Sequence, residues 1–253
     1  MTADWTALHK ELQTWQDQDL TLPLWWRDDD AVEPTPQLDR LTELSEKLDL
    51  PVHLAVIPRD ATAALAAYVA TTPQLIPVVH GWAHQNHAPQ GEKKAEFGAH
   101  RTVEQAVSDA DRGLKTLRAL FSDQLEPMFV PPWNRISDDL LQGLAGLGYS
   151  NLSTFSPRKQ TMATTGLAQI NTHLDPIHWK GNRSLVPPQH LLDQVTRQLT
   201  DRRLGTADNA EPYGILTHHL VHDAAIWGFT EALINRLLAG PATPWTTSQR
   251  TFS

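Results

Sequence analysis

Histidines and aspartates stand at spacings that suit a divalent metal ion. Asp28 to Asp30 form a triplet after one apolar segment, and His80 and His84 stand four positions apart after another. Like charges this close raise one another's pKa, so the triplet needs a cation or a proton. One helical turn would bring both imidazoles to one side, and two imidazoles with a carboxylate form an open zinc-like site. Taken alone, the triplet also fits a solvated turn, and the histidine pair also fits chance.

The amino-acid composition limits the possible metal ligands, nucleophiles and binding partners. The chain of 253 residues has 12 His and no Cys, which excludes disulfide scaffolds, thiolate ligands and a cysteine nucleophile. A formal charge of -8 argues against a nucleic-acid or anionic-membrane partner. Neither a glycine-rich nucleotide-binding fingerprint nor a serine nucleophile elbow is present. A bound metal would therefore have imidazole and carboxylate ligands, and the expected partner is a small-molecule or carbohydrate substrate.

Apolar runs alternate with helical patterns along the chain. The runs predict strands over 22–27, 52–57, 74–79, 127–130, 151–155, 168–173 and 213–219. The helical patterns cover 3–18, 35–48, 60–70, 101–121, 136–149, 187–202 and 223–239. Continuous apolar runs are typical of parallel strands covered on both faces. We therefore predict a single α/β domain over residues 1–253, with an N-terminal helix within 1–20 and a C-terminal tail at 241–253.

Polar clusters stand at the C-terminal ends of many of these strands. They are Asp28–Asp30, His80 with His84, Pro131–Asn134, Asp175 with His178, and His218 with His219. The strand ends of a parallel barrel converge on one face, whereas an open sheet gathers its site at one switch point. The distribution favours a barrel.

Further candidates surround this site. Pro131 and Pro132 force the chain out of its strand. Trp133 then offers a flat apolar face on which a sugar could stack, and Asn134 offers an amide for hydrogen bonds. A turn with a core tryptophan fits the same residues. His87 is interpreted as a substrate contact rather than a ligand. At least one of the neighbouring His218, His219 and His222 is expected to point into the site, and Asp175 could orient it.

Five segments in order resemble the motifs of the polysaccharide deacetylase family, carbohydrate esterase family 4 of the NodB type. They are Asp29-Asp30-Ala31, His80-Gly81-Trp82-Ala83-His84, Pro131-Pro132-Trp133, Asp175-Pro176-Ile177-His178-Trp179 and Leu216-Thr217-His218. The resemblance implies a distorted (β/α)7 barrel, in agreement with the seven predicted strands. It implies that Asp30, His80 and His84 hold the metal. It further implies that Asp29 is the general base, His218 the general acid and Asp175 the residue that tunes His218.

Two departures from the family motifs matter. Val130 stands where the family has an arginine that partners the base, so Asp29 needs Arg27 or Arg135 in that role. His178 replaces the second aspartate of the family's Asp-x-x-Asp-Trp motif. Asp28 is extra, which leaves the register of the triplet open.

The resemblance implies a metal-dependent hydrolase that deacetylates an N-acetylated sugar or related small amide by attack of metal-bound water. Zinc is the expected ion, with cobalt, nickel or manganese as alternatives. The expected substrate contacts are Trp133, Asn134, Arg135, His87 and Trp179. Two other readings stay open: a catalytically silent barrel that binds metal and carbohydrate, and an amidase acting on a non-sugar substrate. No signal peptide or membrane span is recognised in the sequence, so a cytoplasmic location is expected.

Overall fold

The computed structural model describes residues 3–247. The helices are α1 Thr6–Asp17, α2 Pro36–Leu48, α3 Ala63–Ala70, α4 Val103–Phe121, α5 Leu141–Gly146, α6 Pro188–Arg203 and α7 Ala224–Ala239. The strands are β1 Leu22–Ala31, β2 Val52–Val56, β3 Leu75–His80, β4 Met128–Val130, β5 Asn151–Leu152, β6 Met162–Thr164, β7 Leu167–Gln169, β8 Tyr213–Thr217 and β9 Ala242–Pro244. Within the described chain, no helix combines the length and apolarity needed to cross a bilayer.

The strands form a barrel whose wall is partly irregular. Their order in the sheet is β6-β7-β5-β4-β3-β2-β1-β8, with β9 paired to β1, and only the β6–β7 pair is antiparallel. The ladder itself is not closed: the segment after β7 forms only isolated parallel bridges, Phe155 to Thr172 on one side and Leu174 to Ile215 on the other. The predicted distorted (β/α)7 barrel is confirmed.

Two apolar layers hold this barrel together. The inner layer consists of Trp25, Ala55, Val78, Met128, Val130 and Ile170, each fully buried, with Trp245 packed against it. The larger outer layer joins the opposite faces of the strands to the helices. The apolar runs of the sequence are thus explained, because these strands are covered on both faces.

Several helices begin at a side-chain cap. Thr35, Thr62, Thr102 and Asp223 each accept a hydrogen bond from the backbone N–H three residues further on. Such caps satisfy one of the donors that the first turn of a helix leaves free. They fix the points where α2, α3, α4 and α7 start.

The second half of the barrel differs most from the sequence prediction. The strands predicted over 151–155 and 168–173 are shorter in the structure, where they correspond to β5 and β7. Side-chain hydrogen bonds replace part of the backbone ladder here, since Asn171 Oδ1 accepts from the backbone N–H of Thr154 at 2.9 Å. The helix predicted over 136–149 shortens to α5. Strand β6 was not predicted, and β9 lies where a C-terminal tail was expected, paired with the N-terminal part of β1.

Candidate active site and metal centre

Strand β1 directs its three aspartates to three different partners. Neighbouring residues of a strand face opposite sides, which separates Asp28 from Asp29. The register of the β1–β2 ladder then shifts between Asp29 and Ala31, and Asp30 takes a left-handed backbone conformation with φ +79°. This local break turns the Asp30 carboxylate toward the end of β3. Of the three aspartates, Asp30 is the one grouped with His80 and His84.

Asp30, His80 and His84 form a cluster with the donor set of a metal site. Asp30 Oδ1 lies 3.1 Å from His80 Nε2 and 3.4 Å from His84 Nε2, and one ligand atom from each of the three lies within 4.8 Å of the others. His80 Nδ1 donates to the carbonyl of Val130 at 2.9 Å. That bond leaves Nε2 of His80 facing the cluster, and Nε2 is the atom through which His80 would bind a metal. Two imidazoles and a carboxylate suit a zinc-like ion.

The loop that carries His84 is not the helical turn expected from the four-residue spacing. Gly81 and His84 both have positive φ, +56° and +52°, and the backbone between them is irregular. The buried carboxylate of Glu96 accepts three backbone hydrogen bonds from this loop, donated by Trp82 (3.2 Å), Ala83 (2.8 Å) and Gln85 (3.3 Å). A Cβ at Gly81 would lie 2.4 Å from Glu96 Oε2. Glu96 therefore shapes the loop, and Gly81 lets it approach.

The charges of the cluster shift the pKa of its members in opposite directions. Burial opposes charge on Asp30, but the hydrogen bond and charge of His80 outweigh it and lower the pKa of Asp30. Burial likewise opposes charge on His80, yet the carboxylates of Asp29 and Asp30 raise its pKa. For His84, burial and repulsion from His80 lower the pKa. The lowered pKa values of Asp30 and His84 favour the deprotonated forms that bind a metal, whereas the raised pKa of His80 means that a metal ion would have to displace a proton there.

Asp29 forms a buried ion pair with Arg27. Arg27 Nε lies 2.9 Å from Asp29 Oδ1, and Nη2 lies 3.0 Å from Oδ2. The guanidinium is fully buried and also donates to Ser153 Oγ at 2.7 Å and to Asn134 Oδ1 at 2.6 Å. Arg135 instead donates to the carbonyl of Lys94 at 2.6 Å. Of the two candidates named from the sequence, Arg27 is the partner of Asp29.

The turn after β4 is strained at two consecutive residues. Trp133 and Asn134 have φ of +58° and +56°, a region that costs non-glycine residues of order 1–3 kcal/mol each. The turn brings the Trp133 ring to 4.3 Å from the His84 ring and the Asn134 amide onto Arg27. Together with Asp30 and His84, four residues of the site adopt positive φ. Strain of this kind tends to gather where function requires a fixed geometry.

His218 packs against Trp179, which is bound in turn to the partly buried carboxylate of Asp175. The rings of Trp179 and His218 are 4.8 Å apart and nearly perpendicular. Asp175 accepts from Trp179 Nε1 at 2.7 Å and from the backbone N–H of Ile177 at 2.9 Å. Burial raises the pKa of Asp175, and the charge of His218 partly offsets this. Asp175 is not hydrogen-bonded to His218, since the buried Nδ1 of His218 has no hydrogen-bond partner within residues 3–247.

A second buried carboxylate–histidine pair, which sequence reasoning did not assign, joins β1 to the end of β8. Asp28 Oδ1 lies 2.5 Å from His219 Nδ1, while its Oδ2 accepts from the Thr217 hydroxyl at 2.6 Å and from the His219 backbone N–H at 3.0 Å. Both side chains are at most 1% exposed. The extra aspartate of the triplet and the doubled histidine were the signals in the sequence. Pairing them required knowing that β1 and β8 are neighbours.

Three further candidates, His222, His87 and His178, make separate contacts. His222 Nε2 accepts a hydrogen bond from the backbone N–H of His218 at 3.3 Å. His87 lines a surface depression of about 660 Å³ together with residues of α4. His178 is exposed and packs its ring against Gly181. None of these three belongs to the cluster of Asp30, His80 and His84.

No known family's sequence profile matches this chain, and no curated protein gives a significant match. Many solved structures do resemble it, and several of these are 12–16% identical to it in sequence.

These structures include polysaccharide deacetylases of carbohydrate esterase family 4. A family 4 carbohydrate esterase from Streptomyces lividans, in complex with acetate, superimposes with a TM-score of 0.57 at 14% identity over 89% of this chain and 92% of that one. A mutant peptidoglycan deacetylase from Bacillus subtilis gives 0.55 at 13% identity over 90% and 89%. A family 4 pseudoenzyme mutant with restored enzymatic activity gives 0.58 at 13% identity over 90% and 67%. At this level of identity, the likeness shows a shared fold.

Proposed function

We propose that this protein is a metal-dependent hydrolase that removes the acetyl group from an N-acetylated sugar or a related small amide. One observation supports the proposal most directly. Asp29, which is paired with Arg27, directly precedes Asp30 in the sequence, and Asp30 forms a cluster with His80 and His84. A proton acceptor thus stands beside a metal-ligand set, which is the arrangement that hydrolysis of an amide by activated water needs. The shared fold with family 4 deacetylases supports the same function.

In this proposal the residues have separate tasks. A divalent ion bound by Asp30, His80 and His84 supplies Lewis-acid polarisation of the acyl oxygen and activation of water. Asp29 accepts the proton of the attacking water, and Arg27 keeps both carboxylate oxygens fixed in place. Zinc is the proposed ion because it suits two imidazoles and a carboxylate, and cobalt, nickel or manganese are the alternatives to test.

The leaving nitrogen requires a proton donor on the other side of the site. His218 is the proposed acid, since its ring is only partly buried and is fixed against Trp179. Asp175 supports the charged imidazole electrostatically. Trp133, Trp179 and His87 remain proposed substrate contacts. Asn134 accepts a hydrogen bond from Arg27, and Arg135 donates one to the carbonyl of Lys94. We therefore propose that these two residues position neighbouring parts of the site and do not contact the substrate.

The test is acetate release from a panel of N-acetylated sugars and non-sugar amides. The protein is stripped with a chelator and reloaded with each metal in turn. We expect acetate release from at least one sugar with the reloaded protein and none with the stripped protein. Activity confined to non-sugar amides would support the amidase alternative. Asp29→Asn serves as the control that retains the metal ligands.

A catalytically silent barrel is the second candidate. It is favoured by the shared fold with a family 4 pseudoenzyme and by the missing hydrogen bond at His218 Nδ1. It predicts stoichiometric metal binding with no acetate release from any member of the panel. The same experiment therefore separates the two candidates.

A further inference from the structure

Two tryptophans that border the site each hold a cation against their ring. Lys94 Nζ lies 5.9 Å from the ring centre of Trp133, and the Arg183 guanidinium lies 5.3 Å from that of Trp179. Trp133 contacts the ring of His84, and Trp179 contacts the ring of His218. Lys94 is therefore linked through Trp133 to His84, and Arg183 is linked through Trp179 to the proposed acid His218.

These cations have no carboxylate partner within residues 3–247. The ion pairs of the described chain engage arginines and lysines elsewhere, but neither Lys94 nor Arg183 takes part in one. The neighbouring Lys93 and Lys180 are exposed and also take part in none. In a chain with a net charge of -8, a site bordered by unpaired cations is an unusual local charge distribution.

Acidic groups close to these cations, either in the sequence or through a neighbouring residue, make other contacts. Glu92 pairs with His100 at 3.1 Å, and Asp223 accepts from the Ser184 hydroxyl and caps α7. Asp175 is bound to Trp179. None of these carboxylates forms an ion pair with Lys94 or Arg183 within residues 3–247.

Arg183 is well placed to bind an oxyanion. Its loop is fixed, because the Arg183 backbone N–H donates to the carbonyl of His178 at 3.2 Å and Ser184 is bound to Asp223. A guanidinium that rests on an aromatic ring keeps N–H donors available for a carboxylate or phosphate. It also loses less conformational freedom on binding than an unsupported side chain.

We propose that the substrate carries an anionic group, a phosphate or a carboxylate, that Lys94 and Arg183 recognise. This inference rests on the proposed function and names its substrate class: an N-acylated small molecule with an acidic substituent. Charge at the rim also attracts such a substrate from solution, an effect that salt weakens.

The test measures binding to the chelator-treated protein, so that a phosphate cannot bind through a metal ion. Isothermal titration calorimetry compares N-acetylglucosamine with its 6-phosphate, its 1-phosphate and the carboxylate-bearing N-acetylmuramic acid. The charge variant is Lys94→Gln/Arg183→Gln. The matched control is Lys10→Gln/Arg197→Gln, which removes two exposed, unpaired cations from α1 and α6.

We expect wild type and the control to bind at least one anionic sugar about tenfold more tightly than the neutral sugar, a preference of about 1.4 kcal/mol. The charge variant should lose most of that preference, and high salt should weaken it in wild type. Equal affinities in wild type, an undiminished preference in the charge variant, or no binding of any anionic sugar would overturn the inference. Anion-selective binding without acetate release would instead contradict the proposed function alone.

Discussion

Arg27 and Asp29 lie two residues apart on one strand and are joined by two parallel hydrogen bonds of 2.9 and 3.0 Å. Alternate residues of a strand share a face, so β1 carries both the proposed base and its cationic partner. The end of β4 does not need to supply an arginine. Val130 is instead part of the apolar layer inside the barrel. Arg27 thus pairs with Asp29 in place of the arginine that the family motif has at the position of Val130.

Replacing Arg27 should remove activity while the metal ligands stay in place. In Arg27→Gln, Asp29 loses its partner and is left as a buried charge, which costs about 3–5 kcal/mol of stability. We expect acetate release to fall by about 10²-fold or more, the range of general-base effects. Metal content by atomic emission should remain stoichiometric in the folded fraction.

Arg59→Gln is the matched control for this substitution. Arg59 forms the same two-bonded pair with Asp60, at 2.9 and 2.8 Å, but both side chains are nearly half exposed. Exposed pairs contribute about 0–1 kcal/mol, so stability and activity should hardly change. Equal effects of the two substitutions would show that the Arg27 pair has no special role.

Substitution of the histidine pair should abolish metal binding, whereas substitution of Asp29 should abolish turnover and leave metal binding intact. His80→Ala/His84→Ala removes two of the three proposed ligands and should abolish stoichiometric zinc binding, measured by calorimetry. Asp29→Asn should bind zinc as wild type does, because Asp29 is engaged by Arg27, but release no acetate. Full metal content in the double histidine variant would contradict the site assignment.

His218 and His219 should behave differently although they are adjacent. His218→Ala removes a partly exposed ring, and we expect activity to fall by about 10²–10⁴-fold with little change in stability. His219→Ala leaves the buried Asp28 without its 2.5 Å partner, and unfolding by urea should show a loss of about 3–5 kcal/mol. Wild-type activity in His218→Ala would move the acid to His219 or His222.

The sequence was sufficient to predict the elements that depend on local signals. The Thr35 cap followed by Pro36 marks the start of α2, and the apolar runs locate β1, β2 and β3. These features depend on residues close in sequence, where capping and burial patterns are strong. The candidate ligands were also found in this way, because the strand ends of a barrel converge on one face.

What the sequence did not predict depends on contacts between distant segments. Asp28 pairs with His219 across 191 positions, and Asn171 replaces ladder bonds of β5 through its side chain. The choice of Arg27 over Arg135 depends on the direction of each side chain, which the turn at Trp133 and Asn134 determines. No local pattern encodes that left-handed turn in a tryptophan–asparagine pair.

Gly81→Ala should weaken metal binding through the loop that carries His84. The new Cβ would lie 2.4 Å from Glu96 Oε2 and 2.5 Å from Pro132 Cδ, at a φ of +56°. We expect a destabilisation of about 2–4 kcal/mol and a tenfold or greater loss of zinc affinity. Gly91→Ala is the control, since Gly91 also has positive φ, +91°, but has open space around it. Equal zinc affinities in the two variants would contradict this role of the loop.

His53 should make the barrel sensitive to acid. It is fully buried on β2, where burial lowers its pKa from 6.5 to about 4, even though its ring lies 3.3 Å from the carbonyl of Trp26. Between pH 6.5 and pH 4, the unfolded chain binds a proton at His53 and the folded chain does not. The contribution of neutral, buried His53 to the free energy of unfolding is therefore intact above pH 6.5 and is lost as the pH falls toward 4.

The corresponding loss is about 3 kcal/mol, at roughly 1.4 kcal/mol per pH unit. The free energy of unfolding, measured by urea between pH 7 and 4, should therefore fall less steeply in His53→Gln than in wild type. His9→Gln, which replaces an exposed histidine of α1, should keep the wild-type slope. Because the comparison is between slopes, it holds even if His53→Gln is less stable at neutral pH. A slope in His53→Gln equal to that of wild type would show that another buried group, such as His222, whose pKa burial also lowers to about 4, dominates the acid response.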